Sequence, residues 1–119
     1  MTTHDRPARV AHEFQREMGA LIARGLKDPR ITGFITVTGA KMSPDLKQVT
    51  VYLSIHGDDE VRRNTLVGLR AASGFLKREV SRAIGLRWVP DLQFSYDESV
   101  EEGDKIERLL KEVKQKEGW

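Results

Sequence analysis

Apolar residues along the chain recur at two spacings, and the changes between them mark the elements. Val10, Phe14, Met18, Leu21 and Ile22 fall three to four residues apart, on one face of a helix. Asp5 suits the cap of that helix and Pro7 its first turn, where a missing N–H costs little. The helix should fade near Gly25. Lys27-Asp28-Pro29-Arg30 reads as a turn, because a residue before proline is pushed out of helical geometry. The spacing then drops to two. Ile35 and Val37 alternate with Thr36 and Thr38 in a strand predicted over residues 34–42. Val49, Val51, Leu53 and Ile55 alternate with Gln48, Thr50, Tyr52 and Ser54 in a second strand over residues 48–55. Ser43-Pro44-Asp45-Leu46 between them reads as a hairpin loop, so the two strands should be antiparallel.

Gly57, Asp58 and Asp59 end the second strand and cap a second helix, whose apolar face is Val61, Leu66, Leu69 and Ala72. Ser73 and Gly74 interrupt it, and glycine costs about 1 kcal/mol in a helix interior. The period resumes with Leu76, Val80, Ala83 and Ile84 and stops at Gly85. The segment is therefore two helices, or one helix sharply kinked at Ser73-Gly74. A third strand over residues 91–96 alternates Leu92, Phe94 and Tyr96 with Asp91, Gln93 and Ser95. Ser99 and Glu102 form a capping box for a last helix with Ile106, Leu109, Leu110 and Val113 on one face, fraying in a Lys-rich end. The order α-β-β-α-kink-α-β predicts a two-layer α+β fold, with helices on one face of a three-stranded mixed sheet and a polar opposite face. The third strand, entered through a helical crossover, should run parallel to whichever earlier strand it adjoins. The expected organisation is a single domain over 1–119, with its core in 5–97 and a C-terminal helix and tail in 98–119.

Composition adds bounds. With 119 residues, 39% hydrophobic and 32% charged, the chain suits one globular domain. The uncharged stretch 31–40 is too short and polar to span a bilayer, and the opening MTTHDRPARV has no apolar leader region. The lack of cysteine excludes disulfides and thiolate metal sites and fits a reducing compartment. A cytoplasmic monomer without cofactor or membrane contact is the expectation.

Net charge is only +2, but it is unevenly spread. Residues 62–87 carry Arg62, Arg63, Arg70, Lys77, Arg78, Arg82 and Arg87 against Glu79 alone, a net of +6. Residues 91–104 carry Asp91, Asp97, Glu98, Glu101, Glu102 and Asp104 with no base, a net of −6. A local basic surface is what a polyanion responds to, since each neutralised phosphate releases counterions; a solvated helix face is the plain alternative.

Nothing in the chain assembles catalytic chemistry. His4, His12 and His56 make no metal-binding pair at helical spacing, and there is no nucleophile elbow, P-loop or dinucleotide fingerprint. The acids of 97–104 are better explained as turn and helix-start charges than as a cation site. The expectation is a protein that is not an enzyme.

The basic segment points to binding. Arg78 and Arg82 lie four apart on one face, Lys77 lies one turn after Gly74, and Leu76, Val80 and Ile84 occupy another face, which leaves the bases free of core duty. Arg70 precedes the kink by a turn. A helix restarted at Ser73-Gly74 exposes N–H groups that suit a phosphate and lets a backbone approach closely. A second basic group comes from Arg6, Arg9 and Arg16, with Arg24, Lys27 and Arg30 at the helix end; Arg9 and Arg16 lie seven apart on a stripe away from Phe14 and Met18. Of the two tryptophans, Trp119 lies at the chain end, and Trp88 suits either a stacked base or, preferably, a lid over a core edge; Tyr52 has the same two readings.

The element order resembles a type II KH domain, an RNA-binding fold that clamps RNA backbone with a GxxG loop. No two glycines here are three apart, so that loop is missing, and Ala72-Ser73-Gly74 stands at the helix junction instead. This A-x-G kink resembles the mark of the ribosome-binding factor A family. Arg6-Pro7-Ala8-Arg9-Val10 resembles its opening R-x-x-R-V, and Lys27-Asp28-Pro29-Arg30-Ile31 its D-P-R-I turn. Ser43-Pro44-Asp45-Leu46 before Val49-Thr50-Val51-Tyr52-Leu53-Ser54 resembles its second-strand entry. Arg87-Trp88-Val89-Pro90-Asp91-Leu92 and Phe94-Ser95-Tyr96-Asp97 are similar to its R-x-x-P-x-L-x-F-x-x-D run, and Gly103-Asp104-Lys105-Ile106 to its last helix start. The likeness covers 6–110. It implies a non-catalytic factor that binds the free 30S subunit and its 16S rRNA late in assembly, aids 16S rRNA 5′-end processing and matters in cold adaptation. The implied site is the kink, Ala72, Ser73 and Gly74, with the basic residues beside it. A general KH-like binder of mRNA or small RNA, and a protein-interaction adaptor using 97–104, are the alternatives.

Overall fold

The first apolar stripe folds as α1 (Asp5–Ala23), with Phe14 and Met18 fully buried and Val10 and Ala11 beside them. The computed structural model describes residues 5–96, and of Asp5 the backbone alone. The cap expected at the Asp5 side chain, the C-terminal helix and its Ser99–Glu102 box lie outside the described residues. Past α1, Gly25 takes a φ of 95° and donates its N–H to the Ile22 carbonyl at 3.0 Å, a left-handed exit that favours glycine.

The Asp28-Pro29-Arg30 turn is doubly tied. The Asp28 carbonyl accepts the Ile31 N–H at 3.0 Å. Its carboxylate accepts the Arg30 guanidinium at 2.9 and 2.5 Å and the Arg30 main-chain N–H at 2.9 Å. The guanidinium, and after it the main-chain N–H, hold the Asp28 carboxyl down at about 2.

β1 (Phe34–Met42), β2 (Gln48–His56) and β3 (Asp91–Tyr96) form one sheet in the order β1-β2-β3. β1 runs antiparallel and β3 parallel to β2, as the hairpin loop and the helical crossover require. Val49, Val51, Leu53 and Ile55 are buried at the centre, and the register sets Leu92 and Phe94 beside Val49 and Val51. β1 departs from simple alternation. Its pairing slips between Val37 and Gly39, so Thr38 is an extra residue. Ile35 and Val37 pack on the core before the slip, Ala40 and Met42 after it, and Lys41 is exposed. Without the bulge, the phase of Ile35 and Val37 would carry Lys41 inward. The opposite face carries Thr50, Tyr52, Gln93 and Ser95, polar as expected, though Ser54 on it is buried.

α2 (Asp59–Ala71) is capped by the Asp58 carboxylate, which accepts the Val61 N–H at 2.8 Å. It buries Thr65 and Gly68 beside Leu69, two positions that apolar spacing misses. The Thr65 hydroxyl accepts the Gly33 N–H at 3.2 Å, and Gly68 lets Ile31 lie against the helix backbone. α3 (Ser73–Ile84) buries Leu76 and Val80 and ends at Gly85, whose φ is 76°. Ala83, expected on the buried face, is exposed, and Ser81 is buried in its place. α1 packs against β1 and α3, which closes the helical layer over the sheet.

Candidate nucleic-acid interface

The bend between α2 and α3 is made by a single residue, Ala72. Its φ of −87° and ψ of −2° keep it in the right-handed region, relaxed toward a turn. It donates its N–H to the Gly68 carbonyl at 3.0 Å and accepts the Leu76 N–H at 2.9 Å. The kink expected at Ser73-Gly74 therefore falls one residue earlier, and Ser73 and Gly74 are the first two residues of α3. Hydrogen bonds four residues long reach Ala72 from both sides, so the chain turns without a left-handed glycine.

The small residues supply room instead. A Cβ on Gly74 would lie 3.3 Å from Nη1 and 4.0 Å from Cζ of Arg78, so that guanidinium folds back over the bare backbone of the first turn. Among the described residues no side chain caps α3 at Ala72. The first-turn N–H groups of a helix have no partner inside it, and its amino end carries partial positive charge. A guanidinium placed over that end adds to the same potential. The pair suits an anion with several oxygens, such as an RNA phosphate.

Arg78 and Arg82 are exposed as anticipated, and Phe75 shares their side of α3, three and seven residues earlier, with 48% of its surface exposed. Sequence spacing does not single out Phe75. The available signal was its phase, which follows Arg78 and Arg82 rather than Leu76 and Val80. Arg82 meets Glu79 at 3.6 Å, a long surface pair of small energetic weight. Lys77 corrects the expectation of outward bases: it is half-buried, on the stripe of Ser73, Val80, Ser81 and Ile84. A long cationic side chain can be half-buried along its stem while its charge stays in water. Arg70 is exposed in the last turn of α2, and Arg63 lies two turns before it. Arg62 is structural, with Nε donating to the Ile55 carbonyl at 3.1 Å.

Arg9 and Arg16 are exposed on one side of α1, as their spacing requires. The groove between α1 and α3 is lined by Glu17, Leu21, Arg24, Glu79, Val80 and Ala83. Two carboxylates stand there, so the α1 stripe and the α3 arginines do not merge along that groove. Trp88 donates its indole N–H to the Leu46 carbonyl at 3.0 Å, which pins the β1–β2 loop, while 46% of its surface stays exposed. Tyr52 is half-buried on the polar sheet face. Among the described residues no cluster of three His, Asp or Glu is placed to hold a metal ion, and no helix is long and apolar enough to cross a membrane.

Comparison with known proteins bears on this site. Residues 6–110 match the family model described as Ribosome-binding factor A. Over 114 residues the chain is 70% identical to a Ribosome-binding factor A of Anaeromyxobacter dehalogenans, covering 96% of this chain and 83% of that one. The crystal structure of ribosome-binding factor A from Thermus thermophilus superposes with a TM-score of 0.64 at 24% identity, covering 76% of this chain and 94% of that one. A homology model of the Thermus thermophilus factor, fitted into a cryo-EM map of its 30S complex, gives a TM-score of 0.57 at 23% identity, covering 82% and 97%. The last two likenesses show the fold.

Proposed function

Because the chain belongs to the ribosome-binding factor A family, we propose that it is a non-catalytic assembly factor that binds the free 30S subunit through its 16S rRNA. It acts late in maturation and aids 16S rRNA 5′-end processing. It works in the cytoplasm as a monomer, with one domain over 1–119, and is needed most in the cold, where misfolded RNA is over-stabilised. The fold of a factor fitted into a 30S complex supports this reading.

The observation that carries it is the Arg78 guanidinium lying over Gly74 at the uncapped start of α3. This is a phosphate site in the place where KH domains hold RNA backbone. Ser73 and Gly74 present their N–H groups, Arg78 and Arg82 supply charge, and the exposed Phe75 ring beside them offers a face for a base. Arg70 flanks the junction from α2, Lys77 stands at its rim, and Arg9 and Arg16 add a second contact from α1. Together they hold rRNA backbone in place until later factors complete it.

Co-sedimentation with isolated small subunits and with whole ribosomes, at low and moderate salt, tests the proposal. The expected result is binding to small subunits alone that weakens steeply with salt. Equal binding to both particles, or to neither, sinks it. Precursor 16S 5′ ends should accumulate at low temperature in cells lacking the protein; normal processing there removes that part of the reading.

A further inference from the structure

α3 has a second basic feature at its far end. Arg6, Leu46, Gly85, Leu86, Arg87 and Trp88 line a cleft of about 340 Å³. Gly85 ends the helix that Ala72 begins, so the cleft lies a twelve-residue helix away from the junction, about 18 Å at 1.5 Å per residue. None of the junction residues lines it.

Its chemistry is specific. The Trp88 ring is fixed by the hydrogen bond from Nε1 to the Leu46 carbonyl, yet 46% of its surface remains exposed. A ring held in place before binding loses little freedom when a base stacks on it. Arg6 and Arg87 are exposed, and neither has an ion-pair partner among the described residues. Among the described residues no acid lines the cleft. Among the described residues beyond its chain neighbours, none lies within 4 Å of where a Gly85 side chain would start, so bare backbone borders the space. The last carbonyls of α3 would repel an anion, but those of Ser81 and Arg82 already accept the N–H groups of Leu86 and Gly85 at 2.9 and 3.2 Å. A rigid indole beside two exposed guanidiniums, in a space of nucleotide size, matches a base on the ring and its phosphate between the arginines.

We infer that this cleft is a subsite for one nucleotide of single-stranded RNA, distinct from the helix junction. The inference rests on the RNA-binding reading of the chain but uses none of the residues that carry it. Strand binding here ties RNA to both ends of α3.

The test uses the full chain with Trp119→Phe, which leaves Trp88 as the only indole. Its fluorescence is titrated with a six-nucleotide oligoadenylate and, separately, with adenosine monophosphate. The expected result is saturable quenching by the oligomer, at least tenfold tighter than by the mononucleotide. The exposed pair Arg6→Glu and Arg87→Glu should weaken it tenfold or more with unchanged melting. No saturable quenching, or quenching indifferent to those arginines, overturns the subsite. Equal affinity for the mononucleotide overturns the assignment to an RNA strand. The same preparation is sedimented with small subunits. Subunit binding without quenching sinks the subsite alone, whereas quenching without subunit binding keeps the subsite and sinks the assembly reading.

Discussion

Trp88 donates its indole N–H to the main-chain carbonyl of Leu46 at 3.0 Å, across 42 residues of sequence. Leu46 has a φ of 61°, in the left-handed region where leucine is rare, and its side chain is buried. The loop around it is tied from within: Leu46 N–H to the Ser43 carbonyl at 2.9 Å, Ser43 hydroxyl to the Asp45 carboxylate at 2.7 Å, and Lys47 N–H to the same carboxylate at 3.1 Å. Burial of the Leu46 side chain and the Trp88 bond offset the backbone strain. Trp88→Phe keeps an aromatic ring but loses the bond, so stability should fall by about 0.5–1.5 kcal/mol. A thermal melt should show a midpoint several degrees lower; an unchanged midpoint would mean the bond contributes nothing.

Gly68→Ala should destabilise, although alanine is normally the better helix former by about 1 kcal/mol. A Cβ there would lie 2.5 Å from Cγ1 and 3.2 Å from Cδ1 of Ile31. Ile31 follows the tied Asp28 turn, so it has little room to retreat. The expected loss is about 1–3 kcal/mol, typical of overpacking, read by urea denaturation. A neutral or stabilising result would show that Ile31 moves freely.

Asp28 makes stability depend on acid. Its folded pKa of about 2 lies below the ordinary value near 3.9. The stabilisation is therefore complete above about pH 4 and is lost as pH falls toward about 2. Asp28→Asn should flatten part of that decline. Arg30→Ala should return the Asp28 carboxyl toward its ordinary range, which carboxyl NMR titration reads directly. A carboxyl that titrates near 4 in the unaltered protein contradicts the bidentate contact.

At the junction, Gly74→Ala should separate stability from binding. Its backbone is helical, so alanine gains up to about 1 kcal/mol of propensity. Its Cβ would push against the Arg78 guanidinium and move it off the first turn. The variant should melt at the same or a higher temperature and bind small subunits more weakly. Binding at full strength would remove the Gly74–Arg78 arrangement from the site.

The arginines themselves are tested by charge reversal. Arg78→Glu with Arg82→Glu should abolish co-sedimentation with small subunits, while circular dichroism and melting stay unchanged, since both side chains are exposed. Unfolding of the double variant, or normal binding by it, would refute the assignment.

The order of the elements from α1 to β3, the two-layer α+β class and the orientation of the strands were legible in the sequence. Period-two and helical spacing report directly which face is buried, as the fully buried Val49, Val51, Leu53 and Ile55 show. Chain punctuation was equally local: Asp58 caps, Gly25 and Gly85 exit, and Asp28-Pro29 turns through contacts a few residues long. Outward positions of Arg9, Arg16, Arg78 and Arg82 followed from phase alone. The tertiary structure decided what depends on distant neighbours. The Thr38 bulge re-phases β1 against β2, Thr65 and Gly68 are buried by the loop that carries Ile31 and Gly33, and Lys77 is half-buried. It also put the bend at Ala72 and brought Arg6, Leu46 and Trp88 around one cleft. Periodicity records the face a residue presents, whereas these features arise from which residues meet across the fold, and spacing along the chain carries no measure of that.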